Sequence, residues 1–225
     1  MTKSNTRAVI WDMDGIIADT AACHLKAWQE VFLKRGVSFT EVRFIESFGQ
    51  RNDTIIGKVL GTDISPEEVE AISRRKEEIF RRSIRQDLKP LPGVLPLIKS
   101  LAEHRFKMAI ASAAPMVNIR QLTVGLNIAR CFQTFVSAED VTEGKPDPQV
   151  FQLAARKLGI EPASCLVIED AVAGVAAAKR AGMRCLAVTN THPRTSLAEA
   201  DLVVDTLTAI SVDDIARLID FCDGG

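Results

Sequence analysis

The spacing of short apolar runs most constrains what this chain can fold into. Six such runs, at 8–11, 108–111, 134–137, 165–168, 185–188 and 202–204, are bounded by polar or turn residues. Runs without polar alternation suit strands covered on both faces, as in a parallel sheet flanked by helices. From residue 107 onward they alternate with helical patterns at 116–126, 148–158 and 172–181. The last pattern is followed by Gly182, a residue suited to a helix C-terminus. Strand–helix alternation of this kind predicts an α/β fold with a doubly wound sheet.

The interval from residue 20 to residue 84 breaks that rhythm. It holds no convincing strand and reads as helices at 21–35, 40–47, 52–60 and 66–84. Ser65-Pro66-Glu67-Glu68 is a good helix start, with a serine N-cap, proline in the first turn and acids near the positive end of the helix dipole. The chain therefore reads as a sheet core, 1–17 and 87–225, interrupted by an α-helical insert, 18–86. With 225 residues, 47% of them hydrophobic, it can bury a full core and support a modest second unit.

Charge and cysteine usage exclude several classes. The net charge is -1, from 28 basic and 29 acidic residues, so nothing pulls the chain as a whole toward nucleic acid or an anionic membrane. Cys23, Cys131, Cys165, Cys185 and Cys222 are odd in number and scattered, which argues against a disulfide framework or a zinc knuckle and for thiols in a reducing cytosol. Residues 1–7 lack an apolar leader, and no stretch reaches the ~18–20 apolar residues of a membrane span. A cytoplasmic monomer acting on a small molecule is expected.

In open α/β sheets, ligands gather beyond the carboxyl ends of the strands. The first run is followed by Asp12, Asp14 and Gly15. Side chains at i and i+2 leave an extended backbone on the same side. Two carboxylates so placed repel unless a cation lies between them or one is protonated; a solvated turn is the plainer account. After the second run, Ser112 precedes Ala113-Ala114-Pro115 and a helix. Its hydroxyl and the neighbouring N–H groups suit an anion, and Ser112 serves equally as a helix N-cap. After the third run, Lys145 lies in the stiff loop Gly144-Lys145-Pro146-Asp147-Pro148. By itself it could be merely solvated, but a fixed ammonium there would neutralise a phosphate. After the fourth come Glu169 and Asp170, then Ala171 and Gly174, which suggests a site for a hard cation such as Mg2+. Carboxylates with Mg2+, a hydroxyl and a lysine are the parts that phosphoryl transfer requires.

These residues resemble the motifs of the haloacid-dehalogenase superfamily, in order and across essentially the whole chain. Asp12-Met13-Asp14-Gly15 looks like its first motif, Ser112 the second, Lys145 the third and Glu169-Asp170 the fourth. The resemblance implies a Rossmann-like core with the insert as a helical cap. It also implies Mg2+-dependent phosphoryl transfer through an aspartyl-phosphate on Asp12, with Asp14 as general acid/base. Asp12, Asp14 through its backbone carbonyl, and Asp170 would hold the metal, with Glu169 helping. Ser112, Lys145 and the N–H groups of Met13 and Ala113 would hold the phosphoryl oxygens. The cap would close on hinges near 16–19 and 83–90.

Within the superfamily the chain is similar to the β-phosphoglucomutase-like group. His24 and Trp28, in the segment 20–28, look like that group's cap entry. Gly49-Gln50-Arg51 resembles the cap loop whose arginine meets a distal phosphate, and Lys76 falls where the group places a cap lysine. The residues themselves leave other roles open. His24 would steer the protonation of Asp14 or sit on a helix surface. Arg51 could be a solvated loop arginine, Lys76 belongs to a basic run that could be a solvated helix face, and Trp28 suits the cap core better than a ligand platform. One departure stands out: Ala114-Pro115-Met116 replaces the Ser-Lys-Asn typical of true β-phosphoglucomutases. Hydrolysis of small phosphorylated metabolites such as sugar phosphates is thereby favoured over the mutase reaction, with a non-catalytic phospho-ligand binder as the remote alternative. A 2-haloacid dehalogenase, which generally lacks a counterpart of Asp14, fits poorly.

Overall fold

The computed structural model describes residues 6–220; the expectations for residues 1–5 and for Cys222 lie outside the described residues. All six runs form strands: β1 (Ala8–Trp11), β2 (Lys107–Ala111), β3 (Thr134–Val136), β4 (Cys165–Glu169), β5 (Arg184–Val188) and β6 (Leu202–Val204). They make one parallel sheet in the order β3-β2-β1-β4-β5-β6. The order reverses at the central β1, so a crevice opens at its carboxyl end.

The two-residue period of a strand divides the core into two layers. Val9, Trp11, Met108, Ile110, Leu166 and Ile168 pack on one side, against α5 (Val94–Glu103), α6 (Met116–Gly125) and α9 (Val212–Asp220). Ala8, Ile10, Ala109, Val167 and Cys185 face the other side, against α7 (Gln149–Leu158) and α8 (Val172–Arg180). Helices α5 and α9, which the alternation of runs does not single out, cover the first layer with Leu97, Ile98, Leu101, Ile215 and Ile219. Gly182 takes a left-handed φ of 73°, and its N–H and that of Met183 close the α8 carbonyls of Lys179 and Ala178.

The insert folds as α1 (Ala21–Leu33), α2 (Glu41–Ser47), α3 (Asn52–Leu60) and α4 (Pro66–Asp87). These enclose a separate aromatic core that includes Trp28, Phe32, Phe39, Phe44, Phe48 and Phe80. Ser65 caps α4 as its sequence predicts, accepting from the Glu68 N–H. The two connections to the sheet core are tied together, Asp19 donating to the Lys89 carbonyl and Leu91 to that of Ile17. The helix read at 66–84 extends further than its sequence suggests, into the stretch 83–90 where a hinge is expected. The buried stripe Ile72, Ile79, Phe80, Ile84 carries α4 through to Asp87, so only 88–90 are free of the helix.

Candidate active site

The carboxyl ends of β1 and β4 bring three buried carboxylates together. Asp12, Glu169 and Asp170 each offer an oxygen within 4.8 Å of the others. Lys145, from the loop after β3, reaches into this cluster with its ammonium 2.5 Å from Asp12 Oδ1 and 2.6 Å from Glu169 Oε1. It is fully buried, not a solvated loop lysine. Burial works against its charge, but Asp12 and Glu169 outweigh it and hold the ammonium protonated. Burial pushes the Asp12 carboxyl up to about 7, against the pull of Lys145 and helped by the charges of Glu169 and Asp14. Asp170 is raised for the same reason, with Glu169 and Asp12 adding to burial.

Glycine makes the cluster possible at two points. A Cβ at Gly174 would lie 1.7 Å from Glu169 Oε1, so the first turn of α8 leaves a niche for that carboxylate. There Glu169 Oε2 accepts from the N–H groups of Asp170 and Ala171, both at 2.8 Å, at the positive end of the helix dipole. A Cβ at Gly15 would lie 2.0 Å from Asp170 Oδ2, so the β1 turn approaches Asp170 without a side chain between them.

Three carboxylates against one ammonium leave an excess of buried negative charge, and Asp170 Oδ1 is buried with no hydrogen-bond partner among the described residues. An all-oxygen donor set with such an orphaned oxygen fits a hard divalent cation, Mg2+ rather than zinc. The oxygens of Glu169 are engaged by Lys145 and two amides, which leaves Asp12 and Asp170 as the side chains with oxygen to spare. The carboxylate of Asp14 lies outside the cluster. Past Asp12 the backbone turns through Gly15, and Asp14 Oδ1 accepts from Thr20 Oγ1 at 2.7 Å and sits 3.0 Å from His24 Nε2.

Asp14 is thereby one of the contacts between core and cap. Burial raises its carboxyl, but His24 beside it, the Thr20 hydroxyl and the Lys76 charge outweigh burial and hold it below the usual range. His24 is buried, stacked on Phe80 at 3.9 Å, rather than lying on a helix surface. Its Nδ1 is 2.9 Å from Lys76 Nζ, and Lys76 continues to Glu77 Oε1 at 2.7 Å. Lys76 is not on a solvated face: it is buried, 5.0 Å above the Trp28 ring. Trp28 belongs to the cap core, stacked on Phe32 at 5.1 Å, and also lines the cavity between cap and core.

That cavity is also bounded by Asp12, Phe44, Phe48, Gln50, Ser112 and Ala113, and it holds about 40 Å³. That volume is room for about three waters. The N–H groups of Met13 and Ala113 have no acceptor among the described residues, as an anion site requires. Ser112 is buried and its Oγ accepts from the Ala114 N–H; it is not the N-cap of α6, a position taken by Pro115.

Arg51 is not among the cavity residues. Its guanidinium turns to the core, where Nη1 donates to the carbonyls of Ala138 and Val141 at 2.8 and 2.7 Å, while Asp53 takes the other edge. Its stem lies flat on Gly144, where a Cβ would come within 2.7 Å of it. Asp53 and the two core carbonyls together satisfy the guanidinium. Arg51 here joins cap to core.

Sequence reasoning missed several residues. Asn52 and Asn118 bind Glu77, and no local pattern marks them. Asn190, Thr191 and His192 follow β5, where the strand-end rule points to them, but they carry no acid or lysine to draw notice.

The match to known proteins agrees with this geometry. A family model described as haloacid dehalogenase-like hydrolase matches residues 9–188. Fructose-1-phosphate phosphatase YqaB of Escherichia coli (strain K12) is 32% identical over 175 residues, 78% of this chain and 92% of that protein. The crystal structure of β-phosphoglucomutase from Clostridium difficile superposes with a TM-score of 0.87 at 26% identity, covering 95% of this chain and 97% of that one. The chloroplastic protein SUPPRESSOR OF QUENCHING 1 of Arabidopsis thaliana is 34% identical over 92% of this chain. The chain spans 20% of that protein's length and 57% of another plant relative's. Among the described residues, no helix is long and apolar enough to cross a membrane.

Proposed function

This chain belongs to the haloacid dehalogenase-like hydrolase family, and from that premise we propose that it is a Mg2+-dependent phosphatase of small phosphorylated metabolites, sugar phosphates above all, with Asp12 as nucleophile. The observation that carries the reading is the placement of Asp12, buried at the end of β1, held by Lys145 and clustered with Asp170. Asp12 and Asp170 would hold the cation, which when bound supplies positive charge to the phosphoryl oxygens.

In the first step a carboxylate oxygen of Asp12 bonds to phosphorus as the bond to the ester oxygen breaks, and that oxygen takes a proton from Asp14. In the second, water attacks the aspartyl-phosphate, its proton passes to Asp14, and phosphate leaves with the Asp12 carboxylate restored. Lys145, Ser112 and the N–H groups of Met13 and Ala113 steady the transferring group. Asp14 enters the first step with the proton it took from water in the preceding turnover, and the His24 and Thr20 contacts that favour its ionised form suit it to the second, in which it is the base. The cap supplies His24 and excludes bulk water.

Water is favoured as acceptor over a second sugar hydroxyl. The Ala114-Pro115-Met116 segment brings no polar side chain to the phosphate, and the guanidinium of Arg51 is already engaged elsewhere. The test is a phosphate-release screen over sugar phosphates, run beside a coupled assay for glucose 6-phosphate formed from β-glucose 1-phosphate. Phosphate release that Asp12→Asn abolishes is the expected result. Glucose 6-phosphate as the main product would instead identify a mutase, and full activity in Asp12→Asn would end the covalent mechanism.

A further inference from the structure

The segment that follows β5 grips both acidic turns of the site. Asn190 Nδ2 donates to the Gly15 carbonyl at 2.8 Å, His192 Nδ1 lies 3.1 Å from the Asp170 carbonyl, and the Thr191 hydroxyl donates to Asp170 Oδ2. Gly15 walls the same oxygen, since a Cβ there would sit 2.0 Å from Asp170 Oδ2 and 3.1 Å from Thr191 Oγ1. One oxygen of Asp170 thus already has a hydrogen-bond partner in the protein. The other, Oδ1, is buried with no partner among the described residues, in the group formed with Asp12 and Glu169.

We propose that Thr191 is a positioning residue for the cation: by fixing Oδ2 of Asp170 it presents Oδ1 as the ligand. This rests on the reading of the site as a Mg2+ centre. The terminal torsion of an aspartate is broad and two-fold, so packing alone sets the plane of the carboxylate loosely. A hydroxyl bound to one oxygen removes that freedom before the cation arrives, and partners of this kind typically govern metal affinity by about 10–100-fold. The role belongs to Thr191 because its hydroxyl alone in this segment touches the carboxylate; Asn190 and His192 hold backbone.

The test is calorimetric titration of Mg2+ into the full chain, comparing wild type with Thr191→Val, which keeps the shape, and Thr191→Ser, which keeps the hydroxyl. The expected result is about 10–100-fold weaker binding in Thr191→Val, near-wild-type binding in Thr191→Ser, and equal melting temperatures without metal. If Thr191→Val fails to fold, Thr191→Ala carries the same comparison. Mg2+ affinity in Thr191→Val within twofold of wild type would overturn the proposal, as would equal weakening in Val and Ser. Absence of Mg2+ binding in the wild type would overturn the metal reading itself.

Discussion

Glu77 sits where cap and core meet. Its Oε1 accepts from Lys76 and Asn52 of the cap at 2.7 and 2.9 Å, and its Oε2 from Asn118 of α6 at 2.5 Å. Replacing it by glutamine keeps the shape but removes the charge that Lys76 depends on, both groups being buried. Burial would raise the Glu77 carboxyl, yet Lys76, His24 and the amide donors bring it from 4.5 down to about 2. That fall corresponds to about 3 kcal/mol, near the lower end of the range for breaking a buried pair. Because the folded value is depressed, this stability is fully present above pH 4.5 and is lost as pH falls toward 2. Urea unfolding at pH 7 should therefore find Glu77→Gln about 3 kcal/mol less stable than wild type. The gap should narrow steadily as both are measured from pH 4.5 downward. A gap below 1 kcal/mol at pH 7, or one that persists undiminished at the lowest pH, would refute the assignment.

Gly174→Ala should gain helix propensity, by up to about 1 kcal/mol, yet lose activity. Its methyl would displace the Glu169 carboxylate from its niche and loosen Lys145, a misplacement that can cost about 10²-fold in kcat; unchanged kcat would show the niche to be dispensable. Arg51→Ala should raise KM by a similar factor for monophosphate and bisphosphate esters, because it unties the cap from the Ala138 and Val141 carbonyls. A loss confined to bisphosphates in the same assay would return Arg51 to a distal-phosphate role.

Much of this protein was legible in the order of its residues. The six strands, the helical insert and the strand-end positions of Asp12, Ser112, Lys145 and Glu169-Asp170 all follow from local rules. An apolar run buried on both faces announces a central parallel strand, and the fold directs what comes after it into the crevice. Tertiary structure alone decided where the long side chains point. Asp12 meets Lys145 across 133 residues, and Gly15 meets Asn190 across 175. Asp14 follows its turn toward His24 and away from the carboxylate cluster, and Arg51 prefers Asp53 and two core carbonyls to the cavity. Lys76 lies inside the cap because Glu77, His24 and Trp28 converge on it. Local sequence sets the backbone of each element; these choices also depend on partners brought by distant segments, Lys145 to Asp12, the Ala138 and Val141 carbonyls to Arg51, and His24 and Trp28 to Lys76, which no short window of sequence contains.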